Sequence, residues 1–102
     1  MTFGRVLNEA RKKAGLTQRE LAARIKKEDG EPISAPYLHD LEHGNRNPPS
    51  SHLIKQMAKA LEVDVDVLYY WAGVLPDDVR RTDIDDRRIV AAFRAFRKEI
   101  NN

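Results

Sequence analysis

The stretch LTQRELAARIKKEDGEPISAPYLHDLEHG, residues 16–44, decides the fold. It reads as two short helices joined by a loop, each with its own start signal. Thr17 opens the first. Its hydroxyl can accept from the third helical amide while Glu20 reaches back to the Thr17 N–H, the reciprocal arrangement of a capping box. Leu16 and Leu21 stand where a hydrophobic staple closes over that start. Ser34 opens the second helix, with Ala35 and Pro36 in the first turn, where a missing N–H is harmless. Ile33 and Leu38 repeat the staple, and Gly44 takes the left-handed position beyond the helix. The inward positions are Leu21, Ala22 and Ile25, then Leu38 and Leu41, so each helix buries one narrow stripe. The second helix therefore presents Ala35, Pro36, His39, Asp40 and His43 outward. A small helix with one free face fits a DNA major groove.

Working outward, Thr2 caps a first helix predicted over Phe3 to Ala14, with Phe3, Val6, Leu7, Ala10 and Ala14 on its inner stripe and Gly15 ending it. After the central unit, HGNRNPPSS is a turn-rich loop whose prolines stop one helix before the next begins. A fourth helix is predicted from about Ser51 to Leu61, with Leu53, Ile54, Met57, Ala58 and Leu61 inside. A fifth runs from Val65 to Ala72, capped by Asp64 and ended by Gly73. The alternation in DVDVLYY is too short, and sits behind a helix cap, to read as a strand. The expected fold is all-α: a compact bundle of five short helices, plus a C-terminal helix. Residues 1–75 are read as the domain and residues 76–102 as linker and C-terminal helix, with VLPDDVRRTD at 74–83 as linking chain.

The last helix is predicted from about Ile84 to Ile100, capped by Thr82 or Asp83, acidic at its start and basic toward its end, as the helix dipole prefers. Ile89, Phe93, Phe96 and Ile100 form one stripe. The bundle already has a core, so this stripe needs a partner: its own domain or, preferred, a second copy of the chain.

At 102 residues, 41% hydrophobic and 33% charged, the chain is long enough for one modest core and too polar to span a bilayer, which takes about 18 consecutive apolar residues. No signal peptide precedes Thr2, and a cytoplasmic location with no membrane partner is expected. The absence of cysteine excludes disulfides and thiolate chemistry. The net charge of +2 decides little, but residues 1–27 hold eight basic against two acidic side chains. Such a cluster attracts phosphate backbones, although a solvated helix surface has the same composition.

The ordered set LTQRELA, then ISAPYLHDLEHG, then an Asn/Arg/Pro tail resembles the phage-repressor (Xre-type, Cro/C1-type) helix-turn-helix family. MTFG, the Pro48–Pro49 pair and LYYWAGVLPDD at 68–78 resemble a bacterial subgroup of it, and the likeness covers about residues 3–76. It departs from the pattern in one place. The family joins its two central helices by a short Gly-containing turn, where this chain has KKEDGEP at 26–32.

The resemblance implies a lambda-repressor-like fold, a semi-buried ion pair between Arg11 and Glu42, and a phosphate contact by Gln18 beside Arg19. It implies that Ser34, Ala35, Pro36, Tyr37, His39, Asp40 and His43 lie at or near base edges, and that Asn45, Arg46 and Asn47 touch phosphate across the groove. Ala35 and Pro36 can only press on a thymine methyl, Asp40 accepts from cytosine, and His39 donates to guanine. No Arg–guanine or Gln–adenine pair is available on the helix, so specificity is expected to be modest or to rest on DNA shape. Lys26 and Lys27 in the long loop offer further contacts.

HDLEH places His39 and His43 one turn apart, as in a zinc-protease helix, but Asp40 stands where that motif has Glu. Only His52 remains as a third histidine, so metal catalysis is disfavoured and no cofactor is expected. The run from Leu68 to Trp71 is expected to pack the fifth helix onto the linker rather than form an aromatic ligand cage. The reading is a DNA-binding transcriptional regulator, a repressor acting on double-stranded DNA as a homodimer, and not an enzyme. The alternative is an antitoxin-like or phage-control protein whose C-terminal helix binds a different protein partner.

Overall fold

In the computed structural model, which describes residues 1–102, six helices follow in order: α1 Phe3–Lys13, α2 Gln18–Arg24, α3 Ala35–Glu42, α4 Ser51–Leu61, α5 Val65–Ala72 and α6 Asp86–Ile100. Each start has a chemical cause. The Thr2, Ser34 and Ser50 hydroxyls accept from Arg5, Tyr37 and Leu53 amides, and the Asp64 carboxylate accepts from Asp66. Thr17 and Glu20 exchange both bonds of the capping box, at 3.1 and 3.0 Å.

The core is assembled from α1 to α5. Leu7, Leu21, Ile25, Leu38, Ile54, Met57 and Leu68 lose all contact with solvent, and Ile33, Leu41, Ala58, Leu61 and Tyr69 close around them. Ala14 is exposed rather than on the inner stripe, because α1 ends at Lys13 and Gly15 turns the chain away at φ +74°. Gly4 is buried where α1 meets the end of α3. A Cβ there would stand 2.5 Å from the Glu42 carbonyl oxygen and 2.7 Å from that of Leu41. The two helices thus approach to backbone contact.

The long α2–α3 connection is a self-contained hairpin. Lys26 and Pro32 pair as a single antiparallel bridge, the Lys27 N–H donates to Glu31 O at 2.8 Å, and the Ile33 N–H donates to Ile25 O at 3.0 Å. Gly30 turns the tip at φ +89°. Ile25 and Ile33 are both buried, so the chain leaves the core and re-enters it at adjacent points. The base of the hairpin is fixed to α4: the Lys26 N–H donates to Gln56 Oε1, and His52 Nε2 donates to the Lys26 carbonyl. The insertion therefore projects outward without spreading α2 and α3 apart.

The C-terminal segment differs from expectation. Asp83 is held by Arg81 through bonds of 2.9 and 2.7 Å, and Asp85 caps α6 by accepting from the Arg88 N–H, so the helix begins at Asp86 instead of Ile84. The aromatic run divides. Leu68 and Tyr69 are buried, with the Tyr69 hydroxyl bonded to Ser51, whereas Tyr70 is half exposed and lies against Trp71 on one side and Phe96 of α6 on the other. No residue of α6 enters the core; Ile89, Phe93, Phe96 and Ile100 remain 37–51% exposed.

Candidate nucleic-acid interface

Glu42, the last residue of α3, organises the surface around it. Its side chain is fully buried. Arg11 Nε donates to Oε2 at 2.7 Å and Arg11 Nη2 to Oε1 at 3.0 Å, while Asn8 Nδ2 and Gln18 Nε2 donate to Oε1 at 2.6 and 3.1 Å. Arg11 Nη1 also reaches the Leu16 carbonyl at 2.8 Å. The Glu42 carboxylate so binds α1, α2 and α3 together, and Arg11 extends the network to the α1–α2 turn. Burial pushes the Glu42 carboxyl up, but the three donors and the Arg11 charge outweigh it and hold the group below the usual glutamate value. No buried side-chain polar atom lacks a partner, which is the condition under which a buried charge network is tolerated.

The network fixes the orientation of α3. Pro36, His39 and His43 are exposed along its outer face, with Ala35, Tyr37 and Asp40 half-buried at its flanks and Ser34 engaged in the cap. The His39 and His43 rings stack at 4.0 Å, and His43 Nδ1 donates to the His39 carbonyl. With His52 committed to the hairpin, the three histidines do not converge, and no group of three metal-ligating residues forms. Gly44 adopts φ +76° and the Asn45 N–H donates to the Asp40 carbonyl at 2.9 Å, which turns Asn45, Arg46 and Asn47 back beside the helix. Arg46 ends with its guanidinium 5.6 Å from the Tyr37 ring centre and its Nε 3.6 Å from Asp40.

Gln18, assigned to phosphate by resemblance, spends one amide hydrogen on Glu42, while Arg19 beside it is exposed. The basic cluster of residues 1–27 is divided. Lys13, Arg24 and Lys26 join Lys59 around a groove between α1, α2 and α4 that contains no residue of α3. Sequence reasoning missed Asn8 and Gly4. The Asn8 signal was present, because a residue three before Arg11 shares its helical face.

A family profile described as "Helix-turn-helix domain" matches residues 2–69. Two uncharacterized HTH-type transcriptional regulators, from two Mycobacterium tuberculosis strains, are each 39% identical over 72 residues, 71% of this chain. The match covers 46% of their length, so the chain spans about half of the curated relatives it resembles. Among solved structures, a complex of SinR protein with SinI protein matches 93% of this chain and 79% of its own, with TM-score 0.56 and 21% identity, a likeness of fold. The chain belongs to the helix-turn-helix domain family.

Proposed function

We propose that the protein is a sequence-specific repressor that binds a two-fold operator as a homodimer, in the cytoplasm. The observation that carries this reading is the α3 face, where Pro36, His39 and His43 stand exposed on a helix oriented by the Glu42 network. In this reading α3 lies in the major groove with Ala35, Pro36, His39 and Asp40 toward base edges, and Tyr37 and His43 adjoining. Gln18, with its second amide hydrogen, and Arg19 grip the backbone on one side, and Asn45 and Asn47 on the other. Residues 1–75 act as the binding domain and residues 76–102 as the joining segment. Pairing of Ile89, Phe93, Phe96 and Ile100 with the same residues of a second copy sets two α3 helices about one DNA turn, roughly 34 Å, apart. Occupancy of a promoter then excludes polymerase. No step requires a cofactor, and regulation rather than catalysis is the activity.

A second reading is favoured by the same uncovered α6 face together with the SinR–SinI complex, whose name pairs a helix-turn-helix relative in fold with a second protein. Here α6 takes a different protein and DNA binding is secondary. Genomic footprinting separates the two. Discrete palindromic peaks are the result expected for the homodimeric repressor; no peaks, with a non-identical protein copurifying in fixed ratio, supports the second.

A further inference from the structure

We infer that Arg46 reads a guanine in the operator, aimed by Tyr37 and Asp40. This rests on the reading of α3 as the recognition helix and supplies what that helix lacks. Guanine presents two acceptors, N7 and O6, to the major groove, and a planar fork of donors is their commonest partner. The outward side chains of α3 offer no fork: Ala35 and Pro36 have no donor, Asp40 only accepts, His39 has an imidazole ring and no planar fork of donors, and His43 has already given Nδ1 to the His39 carbonyl.

Arg46 comes from the following loop, yet the turn at Gly44 and the Asn45–Asp40 backbone bond return it to the flank of α3. There the Tyr37 ring faces the guanidinium at 5.6 Å and limits its tilt. Asp40 lies beside the Nε edge at 3.6 Å, so the Nη1–Nη2 edge is the one left free, on a side chain that is 56% exposed. An exposed ion pair of this kind adds little stability; what it contributes is orientation. A phosphate clamp needs only positive charge, which the neighbouring carboxylate of Asp40 diminishes. A base reader needs a fixed plane, which Tyr37 and Asp40 supply. Arg46 is the specificity residue and Asp40 its positioning residue.

The test selects binding sequences from random duplexes with the full-length protein, then titrates variants against the selected site and against every single-base change of it. Arg46→Ala is expected to lose about 10- to 100-fold on the selected site, with the preference for guanine erased at one base pair and non-specific binding altered far less. Arg46→Lys keeps the charge and is expected to lose the same preference. Asp40→Asn is expected to relax preference for guanine at that same position, an effect at that position that is absent when Arg46 is already Ala. A uniform loss across all sequences with Arg46→Ala, a salt slope lower by about one, and recovery with Arg46→Lys would mark a phosphate contact and overturn the inference alone. If the wild type selects no sequence, the regulator reading falls and this inference with it.

Discussion

The Glu42 carboxylate meets the Arg11 guanidinium at 2.7 Å with the Glu42 side chain wholly out of solvent, and this pair joins α1 to the end of α3. A buried pair is a poor source of net stability, because desolvating both charges offsets most of their attraction. Breaking it is another matter. Arg11→Ala strands a buried carboxylate, and a loss of about 3–5 kcal/mol is expected in urea unfolding. The joint replacement Arg11→Met with Glu42→Leu removes both charges and is expected to recover part of that loss, the remainder reflecting Asn8, Gln18 and the Leu16 carbonyl, which lose their partners. Equal instability of the single and double variants would contradict this account.

The same carboxylate sets a dependence on acid. Its value in the folded protein lies below the ordinary 4.5. A group depressed on folding contributes stability that is present above its unfolded value and lost as pH falls through its folded value. Stability is therefore expected to hold from neutral pH down to about 5, then to fall below about 4.5. In Glu42→Gln the starting stability is lower and the acid-dependent part of the loss smaller. Urea titrations at a series of pH values measure both; a parallel acid profile in the variant would assign the effect to other carboxylates.

Gly4 sets helix propensity against packing. On propensity alone, Gly4→Ala gains up to about 1 kcal/mol. A Cβ at 2.5 Å from a backbone oxygen must push α1 away from α3, and overpacking of this kind costs about 1–3 kcal/mol. The expected sign is destabilising. A more stable Gly4→Ala protein would mean that the α1–α3 contact yields easily.

Most of the helical architecture was legible because its causes are local. The Thr17–Glu20 box, the Ser34 cap and the glycines after α1, α3 and α5 act within a few residues, and the inward stripes obey helical spacing. What was hidden depends on three-dimensional neighbours. Gly4 looks like an ordinary early glycine until α3 lies across it. The α6 start was placed two residues early because Thr82, Asp83 and Asp85 are all competent caps, and the choice is made by Arg81 capturing Asp83. In the candidate site, the outward face of α3 follows from its period, but the return of Arg46 onto Tyr37 and Asp40 follows from the turn at Gly44.

The hairpin at 26–32 is expected to be dispensable for folding. Residues 27–31 are all exposed, while the buried Ile25 and Ile33 are joined by their own backbone bond. Replacing KEDGE with Asn-Gly spans the Lys26–Pro32 bridge with a two-residue hairpin turn. The expected change in stability is within about 1 kcal/mol. The excised segment carries one positive and three negative side chains, so its removal should leave non-specific DNA affinity equal or tighter, despite the loss of Lys27. A strong loss of DNA binding would instead make the hairpin part of the interface.

The C-terminal helix carries the last prediction. Ile89, Phe93, Phe96 and Ile100 form a stripe that its own domain leaves uncovered, apart from the approach of Phe96 to Tyr70. Burying one Phe is worth roughly 1.5–3 kcal/mol, and a two-fold interface counts each residue twice. Phe93→Asp places two charges in that interface and is expected to weaken self-association by orders of magnitude. Because α6 contributes nothing to the core, the thermal melt of the helix-turn-helix domain should stay close to that of the wild type. Affinity for an operator with two half-sites should fall toward that for one half-site, since the second contact is no longer tethered to the first. Sedimentation at micromolar concentration decides the matter. A Phe93→Asp protein that remains dimeric places the interface elsewhere. A wild type that is monomeric, and that loses a copurifying protein when Phe93 becomes Asp, gives the α6 face to a different partner.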